Sequence, residues 1–97
     1  AMRVEISKPA FRFVLSQAPE PRRRLRIALQ GLEHERGNIR ELEGRLSGYH
    51  RLRVGAYRVI FRYLVEKDER MILCEFIEKR SIIYEVFETL AMQLRPD

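Results

Sequence analysis

The hydrophobic period of the chain changes once, near Tyr49, and that single change restricts the folds open to it. Upstream, apolar residues recur at helical spacing, first as Phe11, Val14, Leu15 and Ala18, then as Leu25, Ala28, Leu29 and Leu32. Ala18-Pro19-Glu20-Pro21 separates the two runs, because proline cannot sit inside a helix but is tolerated in its first turn. From Tyr49 onward apolar and polar residues alternate. Residues 49–54, 56–65 and 70–77 read as three strands, turned at Gly55 and at Lys67-Asp68-Glu69. Links this short join only antiparallel neighbours.

The ends complete the pattern. Arg3 to Ile6 alternates as a short strand, with Ser7 placed to cap the helix that follows. From Arg80 or Ser81 the spacing is helical again through Ile83, Val86, Phe87, Leu90 and Leu94. Gly37-Asn38 is expected to end the second helix, and Ile39 to Gly48 to form a loop with one short irregular element. The expected fold is α+β, in the order β-α-α-β-β-β-α. A small antiparallel sheet carries an N-terminal helical hairpin and a C-terminal helix, with the helices mainly on one face.

A chain of 97 residues has room for one domain, 1–97. No apolar run approaches the roughly 20 residues of a membrane span, and no export signal is recognisable, so a soluble cytoplasmic protein without membrane contact is expected. The lone cysteine, Cys74, lies in an apolar run and is expected to pack as a small hydrophobe. The sequence lacks a Cys pair, a phosphate-binding glycine loop, an HExxH motif and a GxSxG motif, and His34 and His50 are its only histidines. Neither a metal nor any other cofactor is expected.

Charge is more informative. The net charge of +5 comes almost wholly from arginine, with 16 Arg against 3 Lys. Arginine is the cation suited to phosphate, since its planar fork can bind two oxygens at once and stack on bases. Between Gly44 and Val65 five arginines (Arg45, Arg51, Arg53, Arg58 and Arg62) and His50 occur without one Asp or Glu. Strand alternation puts Arg51 and Arg53 on one face of their strand and His50 with Leu52 on the other. On the next strand Tyr57, Val59, Phe61, Tyr63 and Val65 form the face that receives helices, and Arg58, Ile60, Arg62 and Leu64 lie opposite. A hairpin register then collects Arg51, Arg53, Arg58 and Arg62 into a basic groove, for which a polyanion is the natural partner. The competing expectation is a merely solvated face, its arginines paired with Glu75 and Glu78. That reading fits poorly with a stretch of one sign.

Three segments resemble a known family. They are Gly55-Ala56-Tyr57-Arg58-Val59-Ile60-Phe61-Arg62-Tyr63, the charged turn Glu66 to Arg70, and Ile77-Glu78-Lys79-Arg80-Ser81-Ile82-Ile83-Tyr84. With Leu42-Glu43-Gly44, Arg51-Leu52-Arg53 and the Arg-Ser-x-x-Tyr step into the last helix, the chain resembles the RelE/ParE toxin superfamily over essentially its whole length. The resemblance lies in the order and spacing of short motifs.

That resemblance implies the toxin of a type II toxin–antitoxin system, an endoribonuclease cutting mRNA on the ribosome and bound by a cognate antitoxin, with a toxin–antitoxin hetero-oligomer as the expected assembly. The alternatives are a ParE-type inhibitor of DNA gyrase without nuclease activity, and a degenerate member that only binds antitoxin. Arg-Ser-x-x-Tyr favours the RelE side. By resemblance Arg58 would hold the scissile phosphate, Arg80 would support it, and Tyr84 would act near the attacking 2′-hydroxyl, while Arg45, Arg51, Arg53 and Arg62 would bind RNA. Tyrosine is a poor base in water, but neighbouring cations favour a phenolate. Where family members often carry another basic residue, this chain has Glu78, which becomes a candidate general base beside His50. Strand parity puts His50 on the core side.

Overall fold

The computed structural model describes residues 1–94, and the side chains of Leu90, Ala91, Gln93 and Leu94 fall outside the description. Its elements are β1 (Arg3–Ile6), α1 (Lys8–Ser16), α2 (Pro19–Gly31), β2 (Asn38–Glu41), β3 (His50–Val54), β4 (Tyr57–Glu66), β5 (Glu69–Lys79) and α3 (Ile83–Leu94). One five-stranded sheet runs β1-β5-β4-β3-β2. The β2 to β5 pairings are antiparallel, and β1 joins β5 in parallel, which makes the sheet mixed.

The α+β class and the helical hairpin are as expected; the sheet is mixed rather than wholly antiparallel, and two further details differ. β2 occupies the start of the segment read as a loop, followed by a 3-10 turn at Gly44–Leu46. α2 ends at Gly31 rather than near Gly37, and a 3-10 turn at Leu32–His34 closes through Glu35 in the left-handed region. β2 is an edge strand of four residues with one half-buried apolar side chain, Ile39, so it has no alternation long enough to register.

Local chemistry places α1. The Ser7 hydroxyl accepts the Ala10 N–H at 3.3 Å as its N-cap and donates to the Glu75 carbonyl at 2.7 Å, tying the start of the helix to β5. Pro9 sits in the first turn, where its missing N–H is no loss. Ala10 and Val14 from α1, with Leu25, Leu29 and Leu32 from α2 and the turn after it, cover Leu52, Val59, Phe61, Ile72, Cys74 and Ile77 of the sheet. Burial pushes the Cys74 thiol up to about 12, as befits a packed hydrophobe.

The other face carries a second, smaller core. Ile60, which points away from Phe61, is fully buried with Leu46, Ile83 and Phe87, and Tyr49, Phe76 and Tyr84 pack around them. α3 therefore lies on the face opposite α1 and α2, so the helices are divided between the faces rather than gathered mainly on one. Val86, expected in its apolar stripe, is 36% exposed. A bulge makes this division possible: Ile60 pairs with Phe76 but Phe61 with Cys74, leaving Glu75 as the extra residue. The shift lets Cys74 and Ile77 both face α1 and α2, while Phe76 turns to α3.

Candidate nucleic-acid interface

Strand register assembles the cations on the α3 side. Arg53 stands opposite Arg58, and Arg58 opposite Glu78; one row along, Arg40 stands opposite Arg51, and Arg51 opposite Ile60. Arg58 is the centre of this array. It is 6% exposed, and its Nη1 donates to the carbonyls of Gly55 at 2.8 Å and Tyr57 at 2.9 Å. Both acceptors are neutral. Burial lowers its pKa, the charge that Tyr84 can carry opposes that shift, and Arg53, Arg51 and Arg80 add to the lowering. An arginine so placed is still a cation at neutral pH.

The carboxylate best placed to neutralise it does something else. Glu78 lies across the strand pair from Arg58, but its Oε1 accepts the Lys79 N–H at 2.9 Å. Among the described residues Arg58 makes no ion pair. A largely buried cation without a counter-ion is costly, and an anion entering from solvent would relieve that cost. A cleft of about 460 Å³ offers the way in, lined by Arg53, Gly55, Ala56, Arg58, Lys79, Arg80 and Ser81. Four cations and no carboxylate form its wall. The Arg80 N–H donates to the Ala56 carbonyl at 2.7 Å, which fixes the start of the β5–α3 turn against the β3–β4 turn.

Tyr84, in the first turn of α3, is half-buried against the second core and lies within electrostatic reach of Arg58. It also borders an adjoining hollow with Arg45 and Glu88. The structure thus brings Arg53, Arg58, Arg80 and Tyr84 together, with Arg51 beside them and Glu78 in the same row. Arg51 Nη1 donates to the Asn38 carbonyl at 2.9 Å and its Oδ1 at 3.0 Å, which points it along β2.

Other residues singled out in the sequence stand apart. Arg62 pairs with Glu75 at 3.3 Å and Arg45 with Glu88 at 3.2 Å, so both have carboxylate partners. His50 lies on the opposite face, as parity required, stacked on Phe61 at 5.5 Å and edge-on to Tyr63 at 5.0 Å. Its Nδ1 is buried without a hydrogen-bond partner. Lys79 and Arg40 join the cationic array without having been singled out. Lys79 comes from the two residues by which β5 outruns its expected end, and Arg40 from the strand hidden in the loop. Among the described residues no three His, Cys, Asp or Glu side chains are grouped to hold a metal ion.

No family model matches the sequence, and no curated protein does. Solved structures do share its fold. The archaeal RelE–RelB complex from Pyrococcus horikoshii OT3 is similar at 29% identity and a TM-score of 0.61, over 81% of this chain and 94% of that one. The RelB–RelE antitoxin–toxin complex from Methanococcus jannaschii matches at 20% identity and a TM-score of 0.63, over 86% and 98%. A YoeB/ParE toxin from Agrobacterium tumefaciens matches at 11% identity and a TM-score of 0.66, over 81% and 99%. The chain has the RelE-like toxin fold. The resemblance drawn from its sequence to the RelE/ParE toxins is borne out.

Proposed function

We propose that the protein is the toxin of a type II toxin–antitoxin pair, an endoribonuclease that cuts mRNA on the ribosome without a resident metal. The observation that carries this reading is Arg58, buried to 6% exposure, hydrogen-bonded to two neutral carbonyls, without an ion pair among the described residues, and facing a cleft lined by Arg53, Lys79 and Arg80. RNA brings its own nucleophile. The 2′-hydroxyl attacks the adjacent phosphorus, the bond from phosphorus to the 5′-oxygen breaks, and a 2′,3′-cyclic phosphate and a 5′-hydroxyl result. The 2′-hydroxyl proton must leave and the departing 5′-oxygen must gain one. Arg58, supported by Arg80, neutralises the charge that builds on the phosphorane, a form of stabilisation worth about a hundredfold to a thousandfold in rate for each well-aimed donor. Tyr84 acts at the attacking oxygen, and Glu78 is the alternative base on the same face. His50, the other base candidate, lies on the opposite face of the sheet against Phe61 and Tyr63.

Arg53 and Arg51 guide the RNA, with Arg45 and Arg62 held in reserve by their carboxylates. A cognate antitoxin, acidic to suit this face, completes the proposed partnership in the cytoplasm, as a hetero-oligomer like those formed by the RelE–RelB structures. Primer extension on mRNA from cells briefly producing the protein tests the reading, beside Arg58→Ala and Tyr84→Phe. Translation-dependent cuts that vanish in both variants are expected. Intact mRNA with arrested growth and DNA-damage signalling would point instead to a gyrase inhibitor of the ParE kind.

A further inference from the structure

The arginine tract of α2, Arg22-Arg23-Arg24 with Arg26, has no part in the site described so far. Its members face different ways. Arg22 and Arg26 border an apolar groove beside α1, and Arg23 lies 4.0 Å from Glu20. Arg24 instead reaches across to the β3–β4 turn. A Cβ on Gly55 would lie 2.7 Å from Arg24 Nη2, so the guanidinium lies directly against this turn. Gly55 also has φ of +57°, in the region that favours glycine, and its carbonyl accepts from Arg58. Two guanidinium groups from two different elements thus meet at one residue. Among the described residues Arg24 has no ion pair or hydrogen bond.

The helix face that carries Arg24 continues through Ile27, Ala28 and Gly31, at the three- and four-residue spacing that stacks side chains along one side. Ile27, Ala28 and Gly31, without Arg24, form one wall of a groove of about 480 Å³, and β3 forms the other. Ile27 is 55% exposed there, Arg36 and His34 lie further along, and Glu33 is the carboxylate on the wall. Arg53 borders both this groove and the cleft around Arg58, which lie on opposite faces of the sheet. The volume is within the range that holds a small ligand, and the lining joins an apolar plate to cations. A nucleotide presents the complementary surfaces, a base with an apolar face and a phosphate.

We propose that Arg24, which meets Arg58 at Gly55, holds the phosphate next to the one in the Arg58 cleft, so that the protein grips single-stranded RNA over at least two consecutive phosphates. This rests on reading the Arg58 cleft as an RNA site. Gly55 is the saddle between the two positions, with one cation on each side of it.

The test is equilibrium binding of a short single-stranded RNA with 2′-O-methyl riboses, which blocks the nucleophile, measured by fluorescence anisotropy across a range of salt concentrations. Wild-type protein is compared with Arg24→Ala, Arg58→Ala and the charge-matched control Arg23→Ala, each checked for an unchanged melting temperature. Arg24→Ala is expected to weaken binding about tenfold at low salt and to reduce the slope of log affinity against log salt by about 0.7, the value for one lost phosphate contact on a single strand. Arg23→Ala should do neither. If Arg58→Ala weakens binding while Arg24→Ala leaves affinity and slope unchanged, or matches Arg23→Ala, Arg24 is no RNA contact and the cleft reading stands. If wild-type protein shows no salt-dependent binding, the reading of the cleft itself falls.

Discussion

The two faces of the sheet are built from the same strands to opposite ends. Under α1 and α2, eleven buried residues form a continuous core in which every side chain is apolar. Under α3, among the described residues, four apolar side chains are buried, and much of the rest of that face is given to Arg53, Arg58, Arg62 and their neighbours. Alternation along β4 is the device: Val59 and Phe61 serve the first face, Arg58, Ile60 and Arg62 the second. Stability is concentrated on one side, and a charged site that no core could tolerate sits on the other. Substitutions one residue apart should therefore fail in different ways.

The largest contrast is expected between Phe61 and Arg58. Phe61→Ala removes a fully buried ring from the centre of the larger core and should cost about 4 kcal/mol, against a total stability of about 5–15 kcal/mol, measured by urea unfolding. Arg58→Ala should leave stability within about 1 kcal/mol, since it removes a buried charge together with two hydrogen bonds. On the proposed function, RNA cleavage by this variant should fall by about a hundredfold to a thousandfold. Equal stability losses in the two variants would end the division of labour between the faces.

Smaller effects sharpen it. Ser7→Ala, which removes the α1 cap and its bond to β5, should cost about 1 kcal/mol and leave cleavage unchanged. The Arg62–Glu75 pair is partly open to solvent, and a double-mutant cycle should return a coupling of about 0.5 kcal/mol. The least change is expected from Tyr63. Its hydroxyl donates to Glu35 at 2.6 Å, and burial first, then that bond and the Glu35 charge, push its pKa up to about 12. A raised pKa favours the protonated phenol in the folded state, so this contribution is whole below pH 10 and is lost as pH climbs toward 12. Tyr63→Phe should flatten the decline of stability over that window. Cys74, raised to the same range by burial, contributes in the same direction and remains in the variant.

Much of this was readable from residue order. The period change at Tyr49 gave the three long strands, and parity placed His50 with Phe61 and Arg53 with Arg58. What stayed hidden has physical causes. β2 is too short to alternate visibly, and with it went Arg40. The pairing of Arg62 with Glu75 was contained in the competing expectation of a solvated face, but the bulge that produces it adds one residue to a strand without marking it. The placing of α3 did have a signal. Ile60 lies among the arginines, and an isoleucine on a face read as open needs something to cover it; α3 provides that cover. The approach of Arg24 to Gly55 has no local signal, because it joins α2 to a turn far along the chain.

The parallel pairing of β1 with β5 also governs when the fold can exist. Arg3 to Ile6 must wait for Met71 to Cys74 before they have a partner, so the first strand made is among the last to be seated. Contacts this distant in sequence slow folding, because the loop must close before they contribute. On the ribosome that made it, the chain cannot seat this edge until β5 has emerged, and the Arg58 cleft waits for the same strand and for Arg80 beyond it. A chain cut short before β5 would carry most of the arginines and no site in which to use them.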